Sequence, residues 1–329
     1  MKALFHHAYD VKTEDGKYCP VRFSDGQFAG YASIDPKFER LARCSSGISL
    51  KCYTDAEEVS FAYRYPISYT RMGGFDVYEN GVLCKCEALP EESCDGTFTY
   101  RKKAAGETLM EIFLPANAEM SLWDLSFGNW RPADHPQKLV LHIGASSTQC
   151  AYMTTPSLSY VTLASMSAGV DYINRGVGSM FFDERTLCED DTLCPDEIFV
   201  HYGGNDLVKH GKHDEVVFHE GVVQYCTAED VPGLIEKAKG YLEKLCRIYP
   251  SAKITVISTS GSIKPVDASR EEAKTAYYGA LRNTVEGLGL HYVDCAGMHP
   301  CVPEVYYRDL VHLNALGNAL FASEFGKLL

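Results

Sequence analysis

Three short segments of this 329-residue sequence contain side chains that could together attack a carbonyl carbon. Ser146 lies in the small-residue turn GASSTQ, and Asn205 follows two glycines in GGND. The third segment, DLVH, contains Asp309 and His312. A serine becomes nucleophilic when a histidine takes its proton, and a carboxylate beside that histidine fixes its tautomer. An asparagine amide can donate to the oxyanion that forms. These residue types predict covalent catalysis by a serine.

Each segment by itself also has an ordinary structural interpretation. Short runs of Gly, Ser, Asn and Asp are typical of turns, and an Asp-x-x-His pair can simply lie on the surface or cap a helix. A single site requires that the chain bring the three segments to one place. That depends on the strands and helices between them.

The sequence after residue 138 alternates between short buried strands and longer helical stretches. The expected strands are 139–143, 172–174, 197–202, 253–258 and 291–294, and the expected helices are 157–167, 230–248, 270–287 and 315–327. This alternation predicts a parallel sheet with helices on both faces. Ligands of such sheets bind beyond the carboxyl ends of the strands. The loops that contain Ser146, Asn205 and His312 all lie at that end.

The sequence before residue 131 instead has short β-branched and aromatic runs separated by turn signals. The expected strands are 48–53, 59–65, 75–78, 81–86, 98–100, 109–114 and 120–125. The ENG sequence is a strong hairpin signal, because Asn and Gly tolerate a positive φ. We predict an all-β sandwich over residues 1–135. The proline-flanked segment RPADHPQK would link it to an α/β domain over residues 136–329.

The three chemical segments, in this order, resemble the sequence blocks of the SGNH (GDSL-type) hydrolases. IGASSTQ is similar to block one, GGND to the Gly-x-Asn-Asp block and DLVH to the Asp-x-x-His block. The resemblance covers about residues 138–329. It implies a three-layer, flavodoxin-like parallel sheet and a carboxylic ester hydrolase with Ser146, His312 and Asp309 as its catalytic triad. It implies no metal and no organic cofactor.

The same resemblance implies which groups would stabilise the oxyanion. Asn205 matches the side-chain donor. INRGVGSM, at 173–180, is similar to block two. Its backbone donor falls on Ser179, or on Gly178 if the loop is shifted by one residue. Ala145 replaces the aspartate of the GDS motif, which is not a member of the triad.

A second resemblance concerns the N-terminal part, over roughly residues 30–130. GFDVY, at 74–78, is similar to the Gly-x-Asp-Leu-Tyr motif of a jelly-roll-like β-sandwich domain that precedes some SGNH esterase domains. LPANAEMSLWDLSF fits the closing strands of that domain. This resemblance favours an O-acetylated or otherwise acylated carbohydrate as the substrate. An ordinary strand that leads into the ENG hairpin also explains the GFDVY residues.

The composition excludes several classes of partner. The 31 Lys and Arg against 44 Asp and Glu give a net charge of −13, which disfavours nucleic acid and anionic membrane surfaces. No apolar run approaches the roughly 18 residues of a membrane span, and the N-terminus lacks the apolar core of a secretion signal. We expect a cytoplasmic protein that acts on an acylated oligosaccharide, with its 13 cysteines reduced. A homo-oligomer is left open.

Histidines crowd the segment that follows GGND. They are His201, His210, His213 and His219. Their spacing matches no helical zinc motif, so we predict no metal site. The length of the segment indicates a lid or insertion over the site.

Two alternative functions remain open at this point. A lipid or thioester acyl hydrolase would have a long apolar groove, and its rates on aryl esters would rise with chain length. A non-catalytic carbohydrate-binding or interaction protein with a vestigial triad would react slowly with a fluorophosphonate, because only an activated serine reacts quickly.

Overall fold

A computed structural model of the chain describes residues 1–66, 73–89, 94–208, 225–259 and 261–329. Within these residues, sixteen strands form one parallel and two antiparallel sheets. The strands are β1 Phe5–His6, β2 Asp10–Glu14, β3 Lys17–Val21, β4 Ser49–Thr54, β5 Glu58–Tyr65, β6 Gly74–Glu79, β7 Val82–Ala88, β8 Cys94–Arg101, β9 Thr108–Phe113, β10 Ser121–Ser126, β11 Trp130–Pro132, β12 Leu139–Gly144, β13 Asp171–Gly176, β14 Glu197–His201, β15 Lys253–Ile257 and β16 His291–Val293. The α-helices are α1 Asp25–Ile34, α2 Pro36–Ala42, α3 Ser146–Gln149, α4 Tyr160–Ala168, α5 Val231–Ile248, α6 Ala268–Gly287 and α7 Ala315–Phe325.

The parallel sheet has the order β13-β12-β14-β15-β16. Successive residues of β12 enter different cores: Val140 packs with α4 and α7, whereas Leu141 packs with α1, α2, α5 and α6. A strand covered on both faces needs an almost continuous apolar run, which explains the sequence LVLHIG. The predicted alternation of strands and helices around a parallel sheet is confirmed. None of the helices in the described part of the chain is long and apolar enough to cross a membrane.

The two antiparallel sheets share a second core. One has the order β1-β4-β9-β6-β7, with β11 beside β4, and the other has the order β2-β3-β10-β5-β8. Phe75 of the first sheet meets Phe61 and Phe98 of the second at ring-centroid distances of 5.5 and 4.9 Å. The turn between β6 and β7 has positive φ at Asn80 and Gly81, as a two-residue type I′ hairpin requires. These sheets support the predicted sandwich in part, and they contain the predicted hairpin.

The first 135 residues are not all strand, and in this respect the expected all-β fold is wrong. Helices α1 and α2 lie between β3 and β4, and their apolar residues pack in the core of the parallel sheet. Ser24 and Gln27 form a capping box at the start of α1, and Asp35 caps α2 before Pro36. Both are sequence signals for helix starts that the strand pattern obscured. The expected linker is also partly structured, since it overlaps β11, which pairs with β4.

A buried charged cluster joins the N-terminal segment to both kinds of sheet. His7 Nδ1 lies 2.8 Å from Asp171 Oδ1 on β13, and its Nε2 lies 3.6 Å from Glu111 Oε1 on β9. Lys51 Nζ lies 2.9 Å from the other oxygen of Glu111. Burial alone would lower the pKa of His7, but the two carboxylates outweigh it and raise that pKa. When it is protonated, His7 therefore links Glu111 on β9 to Asp171 on β13.

This cluster predicts a pH-dependent stability. The pKa of His7 is about 6.5 in the unfolded chain and higher in the folded protein. Its stabilising contribution to the free energy of unfolding is therefore fully present below a pH of about 6.5 and is lost as the pH rises through the folded-state pKa. We expect His7→Gln to lower the free energy of unfolding near pH 6 by about 1.5–3 kcal/mol, the size of a hydrogen bond to a charged group. The loss should shrink at alkaline pH. Thermal denaturation at both pH values measures it.

The matched control is His135→Gln. His135 also bonds Asp171, at 2.9 Å, but its side chain is 53% exposed, and exposed ion pairs contribute little. It should change the melting temperature much less than His7→Gln. Equal losses for His7→Gln at acidic and alkaline pH would show that His7 acts by packing alone.

Candidate active site

Ser146 occupies a sharp turn at the carboxyl edge of the parallel sheet. It is the first residue of α3, which begins one residue after β12, and the C-cap residue of α3, Cys150, has a left-handed φ of 68°. Ser146 is partly exposed, whereas Thr148 and Gln149 of the same helix are buried. The N–H of a first helical residue has no intrahelical acceptor. The turn thus presents both the hydroxyl and the backbone N–H of Ser146 at the sheet edge.

The DLVH segment forms a tight loop before α7. An antiparallel bridge between Tyr306 and Leu313 closes this loop. At its tip, Asp309 Oδ1 accepts hydrogen bonds from the N–H groups of Val311 and His312, both at 3.0 Å. This turn is the local reason that an Asp and a His three residues apart face each other.

The structure brings Ser146, His312 and Asp309 together in one hydrogen-bonded chain. Ser146 Oγ lies 2.7 Å from His312 Nε2, and His312 Nδ1 lies 2.5 Å from Asp309 Oδ2. Burial would raise the pKa of Asp309, but the hydrogen bond and charge of His312, with the loop N–H groups, lower it below its usual range. An ionised carboxylate on Nδ1 leaves Nε2 to accept the serine proton. This arrangement can activate a serine for attack.

The two block-two residues differ in what their N–H groups can do. The Gly178 N–H donates to Gln149 Oε1 at 2.5 Å and is buried. Ser179 is partly exposed and has a left-handed φ of 61°. Within the described ranges, no acceptor bonds the Ser179 N–H. The Gly178 N–H is therefore already paired with Gln149 of α3, the nucleophile helix that begins with Ser146. Of the two residues, Ser179 is the available donor.

Asn205 stands beside this loop at the end of β14. Its amide Nδ2 donates to the carbonyl of Met180 at 3.0 Å. The next residue, Asp206, is buried and accepts a hydrogen bond from the Phe182 N–H at 3.1 Å, and burial raises its pKa to about 7. Gly203 has a φ of 125°, a conformation that glycine adopts at little cost. The GGND segment thus ties its own loop to residues 180–182.

Two buried side chains that the sequence pattern does not single out, Asn174 and Gln149, join α3 to β13 and the loop after it. Asn174 Nδ2 donates to the Thr148 carbonyl at 2.7 Å, and its Oδ1 accepts from the Gly176 N–H at 2.8 Å. Gln149 bonds Gly178, as described above. The available signal was the position of Asn174 at the end of a buried strand, where a polar residue needs a hydrogen-bonding partner.

His201 is a buried structural residue. Its Nδ1 lies 3.0 Å from Tyr160 Oη, which in turn lies 2.9 Å from Thr148 Oγ1. Burial lowers the pKa of His201 to about 4, so the ring is neutral. His210, His213 and His219, and the lid expected there, lie outside the described residues. In the part of the chain that is described, no three His, Cys, Asp or Glu side chains form a group that could hold a metal ion.

An aromatic side chain that the sequence did not single out packs against the histidine. The ring centroids of Tyr152 and His312 are 4.6 Å apart. Tyr152 has a φ of 67°, and Cys150, Ser179 and Leu310 in the site loops are also left-handed. Non-glycine residues in this region are uncommon and strained, and they concentrate at functional sites. These strained residues lie in the same loops as the hydrogen-bonded residues Ser146, His312 and Asp309, or next to them.

Comparison with known proteins gave matches among solved structures only. No protein-family model and no curated protein matches the chain. The salicylyl-acyltransferase SsfX3 from a tetracycline biosynthetic pathway is similar over 98% of this chain and 92% of its own, at 20% identity and a TM-score of 0.76. A putative GDSL-like lipase from Bacteroides ovatus is similar over 98% of this chain and 94% of its own, at 15% identity and a TM-score of 0.73.

A third structure is a family two carbohydrate esterase from Clostridium thermocellum, solved in complex with cellohexaose. It is similar over 87% of this chain and 92% of its own, at 12% identity and a TM-score of 0.62. At these identities the matches establish a shared fold. This chain therefore shares its fold with a salicylyl-acyltransferase, a putative GDSL-like lipase and a family two carbohydrate esterase.

Proposed function

We propose that this protein is a serine ester hydrolase that removes acyl groups from carbohydrate hydroxyls. The observation that carries the proposal is the hydrogen-bonded chain from Asp309 through His312 to Ser146. Two further observations support it. Ser146 and His312 lie in loops at the carboxyl edge of the parallel sheet, where ligands of such sheets bind, and solved structures with this fold include esterases and a lipase.

The first half of the reaction forms an acyl-serine. Ser146 Oγ attacks the ester carbonyl carbon as His312 Nε2 takes the hydroxyl proton. Asp309 stays ionised and stabilises the imidazolium. The tetrahedral intermediate then collapses: the bond from carbon to the leaving oxygen breaks, and His312 returns the proton to that oxygen. The alcohol leaves, and the acyl group remains on Ser146.

The second half reverses these roles with water. His312 takes a proton from water, whose oxygen attacks the acyl carbon, and returns it to Ser146 Oγ as the free acid departs. In both halves negative charge develops on the carbonyl oxygen. We assign its stabilisation to the N–H groups of Ser146 and Ser179 and to the Asn205 side chain; supporting this, the three residues follow the neighbouring strands β12, β13 and β14.

The carbohydrate part of the proposal rests on similarity. The Clostridium thermocellum esterase that shares this fold was solved with cellohexaose, and other solved structures of the fold include an acetyl xylan esterase from Butyrivibrio proteoclasticus. The Gly-x-Asp-x-Tyr residues of β6 agree with the resemblance to sandwich domains that precede such esterases. We therefore propose an acylated oligosaccharide as the substrate class.

The nucleophile assignment is tested with two adjacent serines. Ser146→Ala should lower kcat on an aryl acetate by about 10⁴-fold or more, because the attacking atom is lost. It should also abolish labelling by a fluorophosphonate. Ser147→Ala is the matched control, since Ser147 is partly exposed on the same short helix and should keep both signals. Wild-type turnover by Ser146→Ala would remove the proposed mechanism.

The oxyanion assignment is tested with Asn205→Ala. An oxyanion donor acts mainly in the transition state, so kcat should fall by about 10²–10³-fold with little change in KM. Fluorophosphonate labelling of Ser146 should persist at a lower rate. The melting temperature and the active-site-titrated kcat should be measured on one preparation. A lower melting temperature with unchanged kcat would mean that Asn205 only holds the loop through Met180.

The similarity to an acyltransferase over 98% of the chain favours acyl transfer as a second candidate. The two activities share the acyl-serine and differ in the group that removes it. With aryl acetate and added methyl glucoside, we expect free acetate to remain the main product at every glucoside concentration. Chromatography of the products measures the partition, with Ser146→Ala as the blank. Acetylated glucoside as the main product would identify a transferase.

A further inference from the structure

Three residues of the GFDVY segment contact one piece of chain that follows the nucleophile helix. Alternate residues of β6 share a face, and here these are Gly74, Asp76 and Tyr78. Asp76 Oδ2 accepts hydrogen bonds from the Ser157 N–H at 2.9 Å and from Ser157 Oγ at 2.7 Å. Tyr78 Oη donates to Ser157 Oγ at 3.0 Å. Strand β6 of the antiparallel sheet thus binds Ser157 through three hydrogen bonds.

Gly74 completes this contact by its lack of a side chain. A Cβ atom at Gly74 would lie 2.7 Å from the Thr154 carbonyl oxygen and 2.6 Å from that of Glu87, closer than side chains pack. All three positions of the Gly-x-Asp-x-Tyr pattern therefore have a reason in the same contact with residues 154–157.

The contact is costly for the fold. Asp76 is fully buried, and burial raises its pKa in spite of the two hydrogen bonds from Ser157. The Cys86 thiol, opposite Asp76 on β7, interacts with the carboxyl group, but among the described residues its second oxygen, Oδ1, has no full hydrogen-bond partner. An incompletely paired carboxyl group in the interior destabilises a protein, so packing alone does not explain an aspartate here.

The chain on either side of residues 154–157 contacts the candidate active site. At the near end, Tyr152 packs on His312, and Met153 Sδ lies 3.1 Å from Tyr307 Oη in the loop of Asp309. At the far end, Ser159 caps α4, whose first residue, Tyr160, bonds Thr148 of the nucleophile helix.

We propose that Asp76 and Tyr78 are positioning residues for catalysis, which act through Ser157 to hold Tyr152 against His312 and Tyr160 against Thr148. This inference rests on the proposed esterase function and extends the catalytic unit into the antiparallel sheets. Neither residue touches the reacting atoms. Their effect is on the orientation of His312 and of the nucleophile helix.

The first test compares two substitutions at Asp76. Asp76→Ala removes the acceptor for both Ser157 donors, and kcat should fall by about 10–10²-fold, because misplacement by about 1 Å can cost that much. Both donors end on one oxygen, and an amide oxygen can accept two hydrogen bonds. Asp76→Asn should therefore keep a kcat near that of the wild type. Fluorophosphonate titration counts only folded, active sites.

The second test compares two Tyr→Phe substitutions, each of which removes a buried hydrogen bond at one of two successive residues of β6. Tyr78→Phe removes the bond to Ser157, whereas Tyr100→Phe removes a buried bond of 2.6 Å to Glu79, the next residue of β6. Both should lower the melting temperature. Only Tyr78→Phe should lower the titrated kcat. This pair decides the question even if Asp76→Ala does not fold.

Hydrogen exchange gives a readout that does not depend on turnover. The Ser157 N–H and its neighbours at 153–158 should exchange faster in Asp76→Ala and Tyr78→Phe than in Tyr100→Phe. Wild-type kcat in Tyr78→Phe, or a kcat loss shared by Tyr100→Phe, would overturn the positioning role. A wild-type protein whose Ser146 does not react with the fluorophosphonate would instead refute the proposed function.

Discussion

The buried guanidinium of Arg22 holds the edge of the parallel sheet on which the candidate site is built. Arg22 is fully buried, and its guanidinium donates to five backbone carbonyls, those of Leu41, Ala42, Cys44, Asn174 and Gly176. Burial lowers its pKa to about 10, so it remains charged at neutral pH. An unpaired buried charge is expensive. The end of α2 and the end of β13 must therefore stay where their carbonyl dipoles surround this group.

The position of the candidate site depends on these hydrogen bonds of Arg22, because they fix the end of β13. The end of β13 bonds the nucleophile helix through Asn174 and Thr148, and the loop beyond it bonds the same helix through Gly178 and Gln149. The positions of the serine and of the block-two loop are thus coupled by buried hydrogen bonds, which are costly to break. A preorganised set of donors of this kind needs no rearrangement when charge develops on a substrate.

The antiparallel sheets also contact the elements that form the site. They grip the chain at Ser157 through Asp76 and Tyr78, and His7 links them to the outer strand of the parallel sheet. The similarity to SsfX3 and to the Bacteroides ovatus protein spans 98% of this chain, and so it includes these sheets. On our proposal they belong to the machinery that orients His312 as well as to the fold.

The sequence by itself determined the features that depend on local patterns. Continuous apolar runs alternating with helices predict a parallel sheet, Asn80-Gly81 predicts a tight hairpin, and the motif spacing singles out Ser146, Asn205, Asp309 and His312. Only the tertiary structure decided that α1 and α2 pack in the parallel-sheet core, that Gln149 occupies the Gly178 N–H, and that Asp76 binds Ser157, 81 residues away. The physical reason is that a buried polar group must be paired, but its sequence neighbours do not specify which distant group pairs with it.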